Sequence, residues 1–209
     1  AGFKNTVGLL GTEITAEQCS ILATLARQII FIFDGDAGGR AALLKALRLS
    51  QPGSTVKAVS LPEVYDPDQY IREGNVAELE ALIEKAKPVQ DAAIEIITGR
   101  KETEGIDILT EEVIRLATAI PDPLEASRFA QHAAAALQLS AWAMDEKVQA
   151  RREKKERIGE RKRQLEKFLV SELIAKPHLF PSEKLESIKD LFDDIEQKNL
   201  LITRILKRA

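Results

Sequence analysis

The sequence is poor in residues that cross-link or ligate soft metals. It holds one cysteine, Cys19, and two histidines, His132 and His178, in 209 residues. A single thiol closes no disulfide, and two distant histidines without cysteine partners make no zinc site. Aromatic residues are scarce at 5% while charged residues reach 30%, a balance that predicts a helix-rich, well-solvated protein. No run approaches the roughly 20 apolar residues that a membrane span needs. Residues 1–11 lack the basic start and apolar stretch of a signal peptide. The expectation is a cytoplasmic chain with no membrane partner. Its net charge of -3 gives no general attraction for nucleic acid, so any such contact must come from local patches.

Hydrophobic residues make up 44% of the chain, enough for a real core. The first part alternates short apolar runs with helical patterns. Thr6–Leu10 is an apolar run before Gly11-Thr12. Thr15-Ala16-Glu17-Gln18 has the form of a capping box, and the helix it opens sets Cys19, Leu22, Ala23, Leu25 and Ala26 near one face. Ile29–Phe33 is β-branched and aromatic, as expected of a strand buried on both faces. Ala37–Leu49 is helical, with Leu43, Leu44 and Leu47 at core spacing. Gln51–Ser54 is a turn, and Thr55–Leu61 alternates as a second strand. The strand–helix–strand order predicts a parallel sheet with right-handed crossovers. After about residue 76 the strand signals stop. Val76–Lys87, Val89–Thr98, Thr110–Ala119 and Leu124–Leu139 read as helices, and Ser140–Glu146 as a further capped helix start.

Chemistry concentrates in Ile29–Ala42. A buried strand ends in Asp34-Gly35-Asp36, and a helix begins directly after. Ligands of open α/β sheets bind at the carboxyl ends of strands, where both aspartates stand. Gly35 permits a tight turn, so that two carboxylates can face one cation. Mg²⁺ takes one or two carboxylates and completes its shell with water and phosphate oxygens. Gly38-Gly39 allows close approach of a phosphate to the backbone, and Arg40 is suited to bidentate phosphate contacts. A P-loop is excluded by the missing Gly-Lys-Ser/Thr. A phosphatase of the haloacid dehalogenase type usually has Thr or Val where Ala37 stands. An EF-hand loop is excluded because Ala41–Leu44 supplies no further acidic ligand. A second acidic group, Asp66-Pro67-Asp68, follows the next strand. Alone it is a helix cap with proline in the first turn. Paired with Asp34-Gly35-Asp36 on a neighbouring parallel strand, it suits a site for two divalent ions.

These motifs together resemble the bacterial DNA primases of the DnaG type. Asp34-Gly35-Asp36-Ala37-x-Gly39-Arg40-x-Ala42 is similar to the second Toprim motif. Asp66-Pro67-Asp68-x-Tyr70-Ile71 is similar to the primase element after the next strand. Leu10-Gly11-Thr12-x-Ile14-Thr15-x-Glu17-Gln18 is similar to the segment that leads into the first helix. Gly38 is a small departure, since the family more often has alanine there. The resemblance implies a Toprim-like α/β segment with a parallel sheet over residues 1–88, present only in its later part. A helical subdomain of the polymerase core over 89–150 would follow. It also implies synthesis of short RNA primers on a single-stranded DNA template from nucleoside triphosphates. Asp34, Asp36, Asp66 and Asp68 would bind Mg²⁺ or Mn²⁺, with Asp34 and Asp36 catalytic. Gly11, Thr12 and Arg40 are the implied nucleotide contacts. The family's catalytic Glu-Gly, its zinc-binding domain and its basic template-binding subdomain are expected upstream of Ala1, so the chain alone is expected to prime little or not at all.

Arg151–Arg163 is strongly basic and nearly without apolar residues. It is expected as a charged linker or solvated helix over 151–164, because Glu153, Glu156 and Glu160 are interspersed. With no aromatics there, it offers no base-stacking platform. Residues 165–209 resemble the start of the primase domain that contacts the replicative helicase, above all Leu169-x-x-Glu172-Leu173-Ile174-x-x-Pro177-x-Leu179-Phe180. Phe168, Leu169, Leu173 and Leu179-Phe180 suit an apolar partner-binding face, but most of them are expected to pack against helices over 183–207. A second reading of the whole chain is a replisome interaction module without catalysis.

Overall fold

The structure is a computed structural model that describes residues 3–8, 15–49 and 55–175. Two compact units divide the chain, Ala1–Arg151 and Arg152–Ala209. The first contains a sheet of three strands in the order β1 (Gln28–Phe33), β2 (Thr55–Ser60), β3 (Lys87–Pro88). β1 and β2 run parallel, with Phe31 opposite Ala58 and Phe33 opposite Ser60. β3 pairs antiparallel with β2 through Lys57 and Ala58. The sheet is therefore mixed rather than purely parallel. A two-residue strand that ends in proline has no periodicity to detect and arises only from the tertiary contact.

Strand alternation divides the apolar residues between two cores. Phe31, Val56 and Ala58 enter a large cluster with Leu43, Leu47, Ala93, Leu109, Val113 and Phe129. Val59 and Leu61 face a smaller cluster with Tyr70, Leu79 and Ala86, joined by Ile30 and Ile32. The helices on the large-core side are α2 (Ala37–Ala46), α5 (Val89–Thr98), α6 (Ile106–Ala119) and α7 (Pro123–Ala136). The other side carries α3 (Pro67–Arg72) and α4 (Val76–Glu84). Sheet residues and the helices after Pro88 thus share one core, and the division between units falls at Arg151/Arg152.

Local signals explain most helix boundaries. Thr15 and Gln18 form the expected capping box of α1 (Ala16–Leu25), with both reciprocal hydrogen bonds present. Asp122 caps α7 ahead of Pro123. The core face expected for α1 is not realised at Leu25, which is 75% exposed. Thr6, Val7 and Gly8 form no strand, and the remainder of that expected run, Leu9 and Leu10, lies outside the described residues. The basic stretch is helical, within α8 (Ala141–Ala175). In the second unit Leu165 and Phe168 are exposed. The side chains of Leu169 and Leu173, and all of 176–209, lie outside the described residues. No helix among the described residues is long and apolar enough to cross a membrane.

α7 ends in a paired-bond terminus. Leu139 N–H donates to the Ala134 carbonyl at 2.8 Å and Gln138 N–H to the Ala135 carbonyl at 3.0 Å, with Gln138 at φ 61°. That left-handed position favours glycine, since a Cβ is crowded there. α3 ends in the same way, with Gly74 at φ 91°. Replacing Gln138 by glycine is expected to stabilise the protein by about 1 kcal/mol. The gain should appear as a higher urea midpoint with unchanged slope, and a lower midpoint would show that Gln138 carries no strain.

Candidate functional site

The two acidic turns meet at one edge of the sheet. β1 stops at Phe33 and the Asp34–Asp36 turn leads into α2, while β2 stops at Ser60 and the chain turns at Pro62–Tyr65 before α3. Two backbone hydrogen bonds join these segments and a third closes the second turn. Leu61 N–H donates to Phe33 O at 3.1 Å and extends the parallel pairing by one step. Gly35 N–H donates to Tyr65 O at 3.0 Å, and Tyr65 N–H donates to Pro62 O at 3.2 Å. A Cβ at Gly35 would stand 1.9 Å from Pro62 O, and one at Gly39 would stand 2.0 Å from Asp34 O. Both glycines are therefore required by close backbone approach. Gly38 is under less constraint, because its Cβ would meet only the Asp36 carboxylate, at 3.2 Å.

Each aspartate has a definite setting. Asp36 caps α2, with Oδ1 accepting from Gly39 N–H at 2.8 Å. Asp66 caps α3, with Oδ1 accepting from Gln69 N–H at 2.7 Å. Capping uses one oxygen of each, so a structural role and a ligating role are compatible at the same residue. Asp34 caps nothing. Burial pushes its carboxyl pKa above the usual value, and the negative charges of Asp36 and Asp66 push it further the same way. Three of the four candidate ligands thus lie within electrostatic reach of one another. Asp68 differs, because it forms an exposed ion pair with Arg72 one turn along α3. Arg40 turns back on the loop and donates from Nη1 to Gly35 O at 3.1 Å. Gly11 and Thr12 lie outside the described residues. Among the described residues, no group of three or more His, Cys, Asp or Glu side chains is arranged to hold a metal ion.

Sequence reasoning missed the support beneath the second turn. Val64 has φ 71° and sits third in the Pro62–Tyr65 turn, a position that favours glycine or asparagine in a type II turn. A β-branched residue there is a true outlier. No propensity signals it, because valine predicts strand. Beside it, the Tyr65 and Tyr70 rings meet edge to face, with centroids 5.1 Å apart. Tyr70 is buried and donates its hydroxyl to Glu78 Oε2 at 3.0 Å.

Two outcomes follow for stability. Gly35→Ala is expected to cost about 1–3 kcal/mol, as overpacking against backbone does, read from urea denaturation. Asp34 is a carboxyl whose pKa is raised on folding, so the folded state holds its proton more tightly and stability falls as pH rises from 3.8 through the raised value. Asp34→Asn removes that penalty. In chelator-treated buffer its Tm is expected to exceed the wild-type Tm at pH 7. The difference should vanish below pH 3.8, where the carboxyl is protonated in both states. Equal Tm values at pH 7 would show that Asp34 is not strained electrostatically.

Comparison with known proteins agrees with this fold. Residues 1–71 match the Toprim-like family Toprim_2. The DNA primase of Enterococcus faecalis is 27% identical over 187 residues, covering 85% of this chain and 29% of that protein. The DNA primase of Aquifex aeolicus is 36% identical over 104 residues, covering 49% of this chain and 20% of that one. The chain therefore spans less than a third of the length of these relatives. Among solved structures, a primase domain from Pseudomonas aeruginosa matches with a TM-score of 0.52 at 26% identity, over 64% of this chain and 44% of that one. A DnaG catalytic core matches with a TM-score of 0.50 at 25% identity, over 62% of this chain and 44% of that one. By sequence and by fold, the chain resembles a segment of a bacterial DNA primase of the DnaG type.

Proposed function

We propose that the chain is the metal-binding segment of a primase, acting in the synthesis of short RNA primers on single-stranded DNA from nucleoside triphosphates. The observation that carries this reading is the gathering of Asp34, Asp36 and Asp66 at the carboxyl ends of two hydrogen-bonded parallel strands. Three carboxylates that raise the pKa of one among them form a donor set that a divalent cation relieves. Asp34 and Asp36 would hold Mg²⁺ or Mn²⁺, Asp66 would complete the set, and Asp68 joins only if it leaves Arg72. Bound there, two divalent ions would lower the pKa of the attacking 3′-hydroxyl and neutralise the phosphates of the incoming nucleotide. Gly35 and Gly39 keep the carboxylate turn close to backbone. Arg40, held by the Gly35 carbonyl, is placed beside the turn with further N–H donors for a phosphate oxygen. Residues 89–150 would serve as a helical subdomain of the polymerase core. Binding of the replicative helicase is proposed for 165–209, on the resemblance alone, and the setting of these partners is cytoplasmic.

A second reading is a replisome interaction module without catalysis. It is favoured by the ion pair that occupies Asp68 and by the want of a three-residue cage among the described residues. Mn²⁺ titration of the 209-residue chain, followed by electron paramagnetic resonance, separates the two. Asp34→Asn and Asp36→Asn are each expected to weaken Mn²⁺ binding by about tenfold or more. Equal affinities in wild type and both variants would overturn the metal reading and leave the interaction module. In a priming assay with single-stranded DNA, nucleoside triphosphates and Mg²⁺, the 209-residue chain is expected to make few primers or none, because the resemblance assigns the catalytic glutamate to an upstream strand. Template-directed products from this chain would overturn that expectation.

A further inference from the structure

The small core on the α3/α4 side of the sheet contains two tyrosines that none of the chemistry above uses. Tyr65 is connected in four ways at once. Its backbone N–H closes the Pro62 turn, and its carbonyl accepts from Gly35 N–H. Its ring meets Tyr70 edge to face, and its hydroxyl is hydrogen bonded to Glu73, the C-terminal cap of α3. Tyr70 is fixed in turn, buried to 3% exposure with its hydroxyl bonded to Glu78 on α4. The next residue after Tyr65 is Asp66, which opens α3.

From this arrangement we infer that Tyr65 is a positioning residue. Held by Tyr70, which Glu78 anchors in turn, it presents its carbonyl to Gly35 and so fixes the Asp34–Asp36 turn relative to Asp66. Two physical points support this. The Gly35–Pro62 approach leaves no room for a Cβ, so the two turns touch backbone to backbone and a shift of one carries the other. The turn also holds Val64 in a left-handed conformation, which a valine in a free loop would abandon. Something must over-determine that conformation, and the next residue, Tyr65, packs on Tyr70 of α3, whose hydroxyl is bonded to Glu78 of α4. The rings lie on the side of the turn that packs into the small core, so Tyr65 acts through Gly35 and Asp66.

The consequence for metal rests on the reading of Asp34 and Asp36 as ligands, whereas the backbone consequence does not. Both are measured on the 209-residue chain by amide hydrogen exchange and Mn²⁺ titration. In Tyr65→Leu, the Gly35 amide is expected to exchange about tenfold faster or more while the amides of β2 keep their rates. Mn²⁺ affinity is expected to fall about tenfold. Tyr65→Phe keeps the ring contact and should restore most of both. An unchanged Gly35 amide in Tyr65→Leu overturns the proposal. A faster Gly35 amide with wild-type Mn²⁺ affinity also overturns it, provided that Asp34→Asn abolishes binding. If Asp34→Asn and wild type bind Mn²⁺ alike, the metal reading falls, and the Gly35 amide alone decides on positioning. Should Tyr65→Leu accelerate exchange throughout the sheet, Tyr70→Phe decides. Removing only the Glu78 hydrogen bond should speed the Gly35 amide and spare β2, and a wild-type Gly35 rate there overturns the proposal.

Discussion

The contact between Gly35 and the Pro62–Tyr65 turn is the constraint on which the site depends. Two parallel strands deliver their carboxyl ends to one edge, but pairing alone leaves the following turns free to diverge. Here they are joined by the Gly35–Tyr65 hydrogen bond and by an approach that excludes any side chain at position 35. Once the turns touch, the positions of three carboxylates are no longer independent. Asp36 and Asp66 each begin a helix from a fixed point, and Asp34 stands between them at the end of β1.

That placement sets stability against chemistry. Burial at this edge, and after it the negative charges of Asp36 and Asp66, make the Asp34 carboxyl hold its proton more strongly than usual and raise the energy of the ionised site. Tight glycine packing and helix capping offset the repulsion, since a cap oxygen that accepts a backbone N–H is stabilised by the helix it starts. The strained Val64 belongs to the same pattern, in which an unfavourable local geometry persists because the surroundings over-determine it.

Much of this was legible beforehand because it rests on short-range rules. Alternation and β-branching marked β1 and β2, and proline after an acidic cap marked α3 and α7. The capping box marked the start of α1. The Asp-x-Asp turns identified themselves by their place after strands. Other features were invisible for physical reasons. β3 is two residues long and exists only because β2 offers it a ladder. Asp66 and Asp68 look equivalent in sequence, yet one caps a helix while the other, two residues on, reaches Arg72 across one helical turn. Arg40 also donates to the Gly35 carbonyl, a contact with no signal in the sequence.

The sequence by itself determined β1 and β2, most of the helices, the acidic turns and the need for glycine between them, because each follows from spacing along the chain. Only the tertiary structure decided that Phe31 and Phe129 share a core, and that Tyr65 links the two turns. It also decided that three of the four aspartates act on one another while the fourth pairs elsewhere. Such relations depend on distances between segments far apart in sequence, and these are set by packing rather than by any local pattern.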